Sequence, residues 1–189
     1  MENTIQLSTE RLYLRPIRLE DADSVFTYRS NAEVNKYQGW IPETIDDVQH
    51  FITNKVSPEI NLPCKWFQFV VLKKDNNELI GDIGIHFLAS DAFQVEMGCT
   101  FSKHHHGNGY AREALTETIN YLFDKLDKRR IIVSIDPRNQ PSINLFERMG
   151  FRKEAHFRES LLINDEWVDD LIYAILKDEW SKNKCLLPG

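Results

Sequence analysis

Only three cysteines occur, Cys64, Cys99 and Cys185, and they stand far apart. An odd, scattered set offers neither a disulfide framework nor a CxxC metal or redox pair, so reduced thiols are expected. No run of eighteen apolar residues is present, which excludes a hydrophobic membrane-spanning helix. The opening MENTIQLSTERLYLR lacks the basic region, apolar stretch and small-residue cleavage site of a secretory signal, and a cytoplasmic location is expected. Basic charge is also short: 23 Lys and Arg against 29 Asp and Glu give a net charge of -6. A general nucleic-acid binder gains most of its affinity from basic groups on phosphates, so that class is disfavoured. An acidic surface attracts cationic amines instead, although modest negative charge also serves solubility. Repeats, low-complexity tracts and Pro/Gly/Ser linkers are missing too. The 189 residues, 42% of them hydrophobic, therefore read as one domain, residues 1–189 with a core over about 8–178.

What is there alternates between strand and helix signals. Arg11 to Arg15 alternates at period two before Pro16, and Leu19 to Ser30, with Glu20, Asp21 and Asp23 early, reads as a helix. Thr44 resembles an N-cap for a second helix to about Val56, with Asp46 and Asp47 well placed in its first turn. An aromatic loop, Asn35 to Pro42, lies between the two. Trp66 to Leu72 and Leu79 to Leu88 are rich in aromatic and β-branched residues, and the polar break DNNE between them predicts an antiparallel hairpin. Phe93 to Phe101 follows, with Phe93, Val95, Met97, Cys99 and Phe101 on one face and Gln94, Glu96, Gly98 and Thr100 on the other.

The clearest helix begins at GNGYAREALTETINYLFDKL. There Ala111, Ala114, Leu115, Thr118, Ile119, Leu122, Phe123 and Leu126 recur at helical spacing. A buried-looking strand from Arg130 to Ile135, a short helix from Pro141 to Met149 and two strands, Phe151 to Ile163 and Trp167 to Leu176, complete the chain. The expected architecture is α/β (α+β): a mixed, mostly antiparallel sheet of about seven strands flanked by about four helices.

Gly107 and Gly109 stand GxG directly before the long helix, where several backbone N–H groups point outward. Reinforced by the positive end of the helix dipole, such amides form an anion site, and the missing Cβ atoms let a pyrophosphate approach the backbone. A plain structural turn would also need these glycines, so context decides. A P-loop needs GxxxxGK[ST], and neither Lys nor Ser/Thr follows Gly109 at that spacing; a dinucleotide fingerprint needs a third glycine where Arg112 stands.

HHHGNGYAREA instead resembles the Q/R-x-x-G-x-G/A pattern of the GNAT acetyltransferase superfamily, with His104 at the usual Gln/Arg position. A second block, DPRNQPSINLFERMGF, is similar to that superfamily's N-x-x-S-x-x-L-x-x-x-x-G-F segment at Asn139, Ser142, Leu145, Gly150 and Phe151. TERLYLRPIRLEDAD and INDEWVDDLIYAIL are similar to the two ends of its ribosomal-protein, RimJ/RimL-like branch, so the resemblance spans nearly the whole chain.

The resemblance implies acetyl-CoA as co-substrate and a direct attack by an amine in a ternary complex. It implies CoA contacts from Cys99, Thr100 and Phe101, from His106, Gly107, Asn108, Gly109, Tyr110, Ala111 and Arg112, and from Asn139 and Phe146. Glu96, in the strand reading EMGC, is the implied base, directly or through water; as a strand glutamate it equally suits a salt bridge. Ser142 is the implied acid beside the CoA sulfur, and it equally suits the start of a helix after Pro141. A main-chain N–H near Met97 to Cys99 is implied for the oxyanion. Tyr37 and Trp40 become candidates for the acceptor pocket, though such aromatics also pack cores and loops. The triplet His104 to His106 points in divergent directions with no second ligand cluster, so no metal is expected.

The expected reaction is transfer of an acetyl group to a primary amine, foremost a protein N-terminal α-amine. A small aminoglycoside or polyamine acceptor, or a non-catalytic acyl-CoA sensor or scaffold, stays open, as does a homodimer. No nucleic-acid or membrane partner is expected.

Overall fold

A computed structural model describes residues 5–89, 91–163 and 165–184. Its strands are β1 (Leu7–Ser8), β2 (Leu12–Pro16), β3 (Lys65–Lys73), β4 (Leu79–Phe87), β5 (Gln94–Phe101), β6 (Arg130–Ile135), β7 (Arg152–Ile163) and β8 (Glu166–Leu176). All eight belong to one sheet in the order β1-β2-β3-β4-β5-β6-β8-β7. Every neighbouring pair is antiparallel except β5 and β6, which run parallel. A parallel pair needs a long crossover, and α3 (Tyr110–Asp124) supplies it. The other helices are α1 (Ala22–Arg29), preceded by a 3-10 turn, α2 (Ile45–Asn54), α4 (Gln140–Arg148) and α5 (Lys177–Lys184).

Among the described residues the count is thus eight strands and five helices, one more of each than the sequence suggests. The extra strand, β1, is only two residues long, too short for a periodic signal. The extra helix, α5, has the polar sequence KDEWSKNK. It is anchored by Trp180, which is buried and donates its indole N–H to Asn120 at 2.9 Å.

α3 buries Ala114, Leu115, Thr118, Ile119, Leu122 and Phe123 of the stripe its spacing predicts, while Ala111 and Leu126, the latter past the helix end, are only partly buried. These pack with Leu12, Leu14, Phe69, Ile83, Val95 and Met97 in the main core, which fills one face of the sheet. α1 and α2 cover the other face, where Ala22, Val25, Tyr28 and Val48 meet Val70 and Leu72. Thr44 caps α2 as expected: its hydroxyl accepts from Asp47 N while the Asp47 carboxylate accepts from Thr44 N.

Two placements on β5 differ from the period-two reading. Phe93 lies before the strand, in a turn pinned by Phe93 N donating to the Asp91 carboxylate, and is exposed. Thr100, on the face taken as polar, is buried because α1 and α2 cover that face rather than water.

That covered face holds a charged cluster. Asp82 is buried opposite Val70 and Thr100. It accepts from the Arg29 guanidinium through Nε (2.9 Å) and Nη2, from the Tyr28 hydroxyl and from Gln68 Nε2. Burial and the Asp82 charge push the Tyr28 hydroxyl well above its ordinary range. For Arg29, burial opposes the charge, but Asp82 outweighs it and raises the guanidinium further.

A buried pair that loses one partner leaves the other charge uncompensated, at a cost of about 3–5 kcal/mol. Asp82→Asn is therefore expected to lower the unfolding free energy by about that amount. Urea denaturation monitored by tryptophan fluorescence measures it.

Candidate active site

β5 and β6 pair only at Gln94↔Arg130, Val95↔Ile131 and Glu96↔Ile132. Beyond Glu96 the two strands part, leaving Met97 to Phe101 and Val133 to Ile135 without ladder bonds to each other. A cleft of about 580 Å³ opens in the gap. Met97, Gly98, Cys99 and Thr100 line it from β5, and Val133, Ser134 and Ile135 line it from β6. Gly98 needs no strained backbone; its use is space, since a methyl group there would meet nothing within 4 Å.

α4 enters from one side. Asn139 is its N-cap and accepts from Ser142 N at 3.3 Å, so the cap belongs to Asn139, while the Ser142 hydroxyl makes no hydrogen bond to a described residue. Asn139, Ser142 and Phe146 follow at i, i+3 and i+7, which puts all three on one helix face, toward the cleft. Tyr37 and Trp40 approach from the opposite side. Trp40 stacks on Phe51 at 4.5 Å between ring centroids, and the Arg29 guanidinium lies 5.5 Å from its ring. Arg138, in the turn between β6 and α4, lies 5.8 Å over the Tyr37 ring and so links the two walls.

The cleft therefore unites Cys99, Thr100, Asn139, Ser142, Phe146, Tyr37 and Trp40. Phe101 lies outside it, buried in the main core. Glu96 lies outside too, on the same strand face as Gly98 but at the root of the split, with Oε2 3.7 Å from His86 Nδ1. His86 stacks on Trp66 at 4.8 Å, and Trp66 does line the cleft.

Residues 106–112 form a separate shelf at the end of β5. Gly107 and Gly109 have φ of 78° and 80°, values that favour glycine. A side chain at Gly107 would meet nothing within 4 Å. The backbone N–H groups from Gly107 to Arg112 have no acceptor among the described residues, and they sit at the N-terminus of α3. His106 donates Nε2–H to the Phe101 carbonyl at 2.9 Å and His105 meets Glu78 at 3.0 Å, whereas His104 is exposed. No three of the described His, Cys, Asp or Glu side chains gather in a group that would hold a metal.

The shelf has a brace that no local motif reveals. Arg11, just before β2, donates to the Asn108 carbonyl at 3.0 Å, pairs with Glu113 at 2.6 Å and lies 4.5 Å over the Tyr110 ring. Thr9 and the Arg11 backbone N–H also donate to Glu113. Burial would raise the Glu113 carboxyl, but these bonds outweigh it and hold it below the usual range. Arg11 and Glu113 are 102 positions apart, so only folding brings them together.

Acetyl-CoA fits this arrangement. The unpaired amides and left-handed glycines suit a pyrophosphate, and the gap between the strands suits an extended arm. The Thr100 hydroxyl is buried at the gap with no partner among the described residues, as an atom awaiting a polar ligand would be. Burial pushes the Cys99 thiol up to about 12, with Asp82 adding to the effect and Arg29 opposing it. Cys99 is thus a neutral thiol and no nucleophile.

Comparison with known proteins bears on the family and the fold. The sequence profile of the acetyltransferase (GNAT) domain family matches residues 11–152. An uncharacterized N-acetyltransferase of Bacillus licheniformis is 32% identical over 93% of this chain and 98% of its own length. The ribosomal protein uS5-alanine N-acetyltransferase of Escherichia coli is 25% identical over 95% of each. A GNAT-family acetyltransferase from Bacillus anthracis has a TM-score of 0.80 at 29% identity, with 92% of this chain and 99% of that one covered. Spermidine N-acetyltransferase from Vibrio cholerae, solved with CoA and spermine, shares the fold with a TM-score of 0.74 at 22% identity, covering 92% and 99%. The chain belongs to the GNAT acetyltransferase family. It is an N-acetyltransferase, and the match to the E. coli enzyme supports the RimJ-like branch.

Replacing Gly107 or Gly109 with valine is expected to weaken acetyl-CoA and free CoA alike by about tenfold or more, since a branched side chain both strains the backbone and fills the anion's approach. Titration calorimetry with each ligand measures the effect. Unchanged affinity in both variants would move the pyrophosphate site elsewhere.

Proposed function

We propose that this chain transfers the acetyl group of acetyl-CoA to the α-amine of a protein N-terminus in the cytoplasm. The state of the cleft's carboxylates carries the reading. Asp136 is bound by Arg138 at 2.7 Å, and Asp47 is committed to the backbone N–H groups of Glu43 and Thr44. Lys55 and His50 add basic groups to the lining, and Arg29 lines it paired with Asp82, which stands outside the lining. A polyamine carrying several positive charges finds no free acidic cluster among these residues, whereas a peptide end needs room for one amine. The similarity over 95% of each chain to the ribosomal protein uS5-alanine N-acetyltransferase supports the same choice.

An α-amine titrates near about 8, roughly two units below lysine, so a larger neutral fraction is present at pH 7 and a carboxylate base suffices. The amine would enter past Tyr37 and Trp40. Glu96 would take its proton through water, because the carboxylate lies below the cleft floor rather than in it, with His86 beside it. When bound, acetyl-CoA supplies an activated thioester. The amides of Gly107 to Arg112 would hold its phosphates, and Asn139 and Phe146 would border its arm. Ser142, with its hydroxyl uncommitted, would donate a proton or hydrogen bond to the departing thiolate.

Glu96→Gln is expected to lower kcat by about a hundredfold or more while acetyl-CoA affinity holds, and the deficit should shrink toward high pH, where free amine abounds. Ser142→Ala should slow turnover by about tenfold with little rescue by pH. Steady-state rates from pH 6 to about 10, read by free-thiol release, separate the two; wild-type rates in both variants remove the assignments. The acceptor class is checked by comparing kcat/KM for short peptides with a free N-terminus, the same peptides blocked there but carrying lysine, spermidine and kanamycin. Free N-termini should lead. Preference for spermidine or kanamycin over every peptide overturns the α-amine reading.

A further inference from the structure

Gln68, Gly84 and Gly98 stand side by side across β3, β4 and β5, each the register partner of the next. Two of the three have no side chain, so this row forms a trough in the sheet face that α1 and α2 cover. Trp66, His86 and Glu96 make the row on one side, and Val70, Asp82 and Thr100 the row on the other. A methyl group at Gly84 would stand 2.9 Å from Gln68 Oε1 and 3.3 Å from the Trp66 ring. The trough therefore runs from Gln68 to Gly98, where β5 parts from β6. Trp66, Gln68, Gly84 and Gly98 all line the cleft.

The orientation of the Gln68 amide is set by its neighbour. Nε2 donates to Asp82 Oδ1 at 2.5 Å, and a carboxylate only accepts, so the NH2 group must face Asp82 and the carbonyl must face away from it. Arg29 and Tyr28 hold Asp82 in turn. Gln68 Oε1 is left over Gly84 with no donor among the described residues, in a residue that is 3% exposed.

We infer that Gln68 Oε1 is the hydrogen-bond acceptor that positions the incoming primary amine, and that the trough over Gly84 and Gly98 admits the carbon bearing it. An N–H of the amine directed at Oε1 places the nitrogen over the glycine row, between Gln68 and the opening beside Ser142. The Trp66 ring borders the same place and favours the amine while it still carries charge. Gln68 moves no proton; it is a positioning residue, and Asp82 acts through it. The inference rests on amine acetylation as proposed above but on no particular acceptor.

The test compares wild type, Gln68→Met and Gly84→Ala at saturating acetyl-CoA, using the best wild-type acceptor among free-N-terminus peptides, spermidine and kanamycin. Acetyl-CoA affinity and melting temperature are measured for each protein. Gln68→Met keeps the length of the side chain and removes the carbonyl; acceptor KM should rise by about tenfold to a hundredfold, with acetyl-CoA affinity within about twofold. Gly84→Ala should also raise acceptor KM, because its methyl displaces the Gln68 carbonyl and fills the trough. Should Gln68→Met melt early, Gly84→Ala decides, since its closest contact is the movable end of the Gln68 side chain. Acceptor KM within about twofold of wild type in the folded variants overturns the inference, as does a parallel loss of acetyl-CoA affinity. Preference of the wild type for spermidine removes the α-amine reading and leaves Gln68 to be judged by its own KM. A wild type that acetylates none of these amines overturns both.

Discussion

The parting of β5 from β6 after Glu96 and Ile132 is the constraint on which the rest of the molecule depends. Two parallel strands that stayed paired would satisfy each other's backbone groups and leave no room between them. Because they separate, a cleft opens through the middle of the sheet rather than on its surface, and its walls come from both faces. Gly98, just past the last paired residue, keeps that opening free of side chains. α3 must begin where β5 ends in order to cross to β6, so its N-terminal amides fall at the end of β5. α4 follows β6 directly and brings Asn139, Ser142 and Phe146 to the gap's edge. The same topological break thus sets the positions of the glycine loop's unpaired amides, the gap and the uncommitted Ser142 hydroxyl.

An opened sheet needs stiffening, and polar contacts of two kinds supply it. On the α1 and α2 face, Asp82 gathers Tyr28, Arg29 and Gln68, which ties the first helix to β3 and β4. Such a buried pair contributes little net stability compared with apolar packing, but it has strict geometry, and that geometry orients the groups facing the cleft. On the other side, Arg11 and Glu113 clamp the glycine loop to β2. A left-handed glycine loop has little stiffness of its own, so the clamp holds its amides in place before a ligand arrives.

Acidic and basic groups around the cleft are largely paired with each other. In the lining itself Asp47 and Asp136 stand against Arg29 and Lys55, which leaves it close to neutral despite the negative charge of the whole chain. Net charge therefore says little about this site. The local pairing says more, and the proposed single-amine acceptor rests on it.

The amphipathic period of α3, the alternation of β3 to β5, the Thr44 cap and the two glycines before α3 were all legible in the sequence, because each depends on residues within a few positions of one another. The two motif blocks likewise marked the family, the glycine loop and the Asn139–Ser142 turn. β1 and α5 were not legible, one being too short and the other too polar to carry a period. Nor were Arg11 with Glu113, Arg29 with Asp82, or the row of Gln68, Gly84 and Gly98, whose members are brought together by strand register and helix packing across long stretches of chain. Thr100 was placed on a polar face since alternation tells two faces apart but not what covers them. The sequence by itself determined the elements and the chemistry available to them; which side chains share the cleft, and that Glu96 sits at its root rather than in its lining, was decided by the tertiary structure, through the register at which β5 ceases to pair with β6.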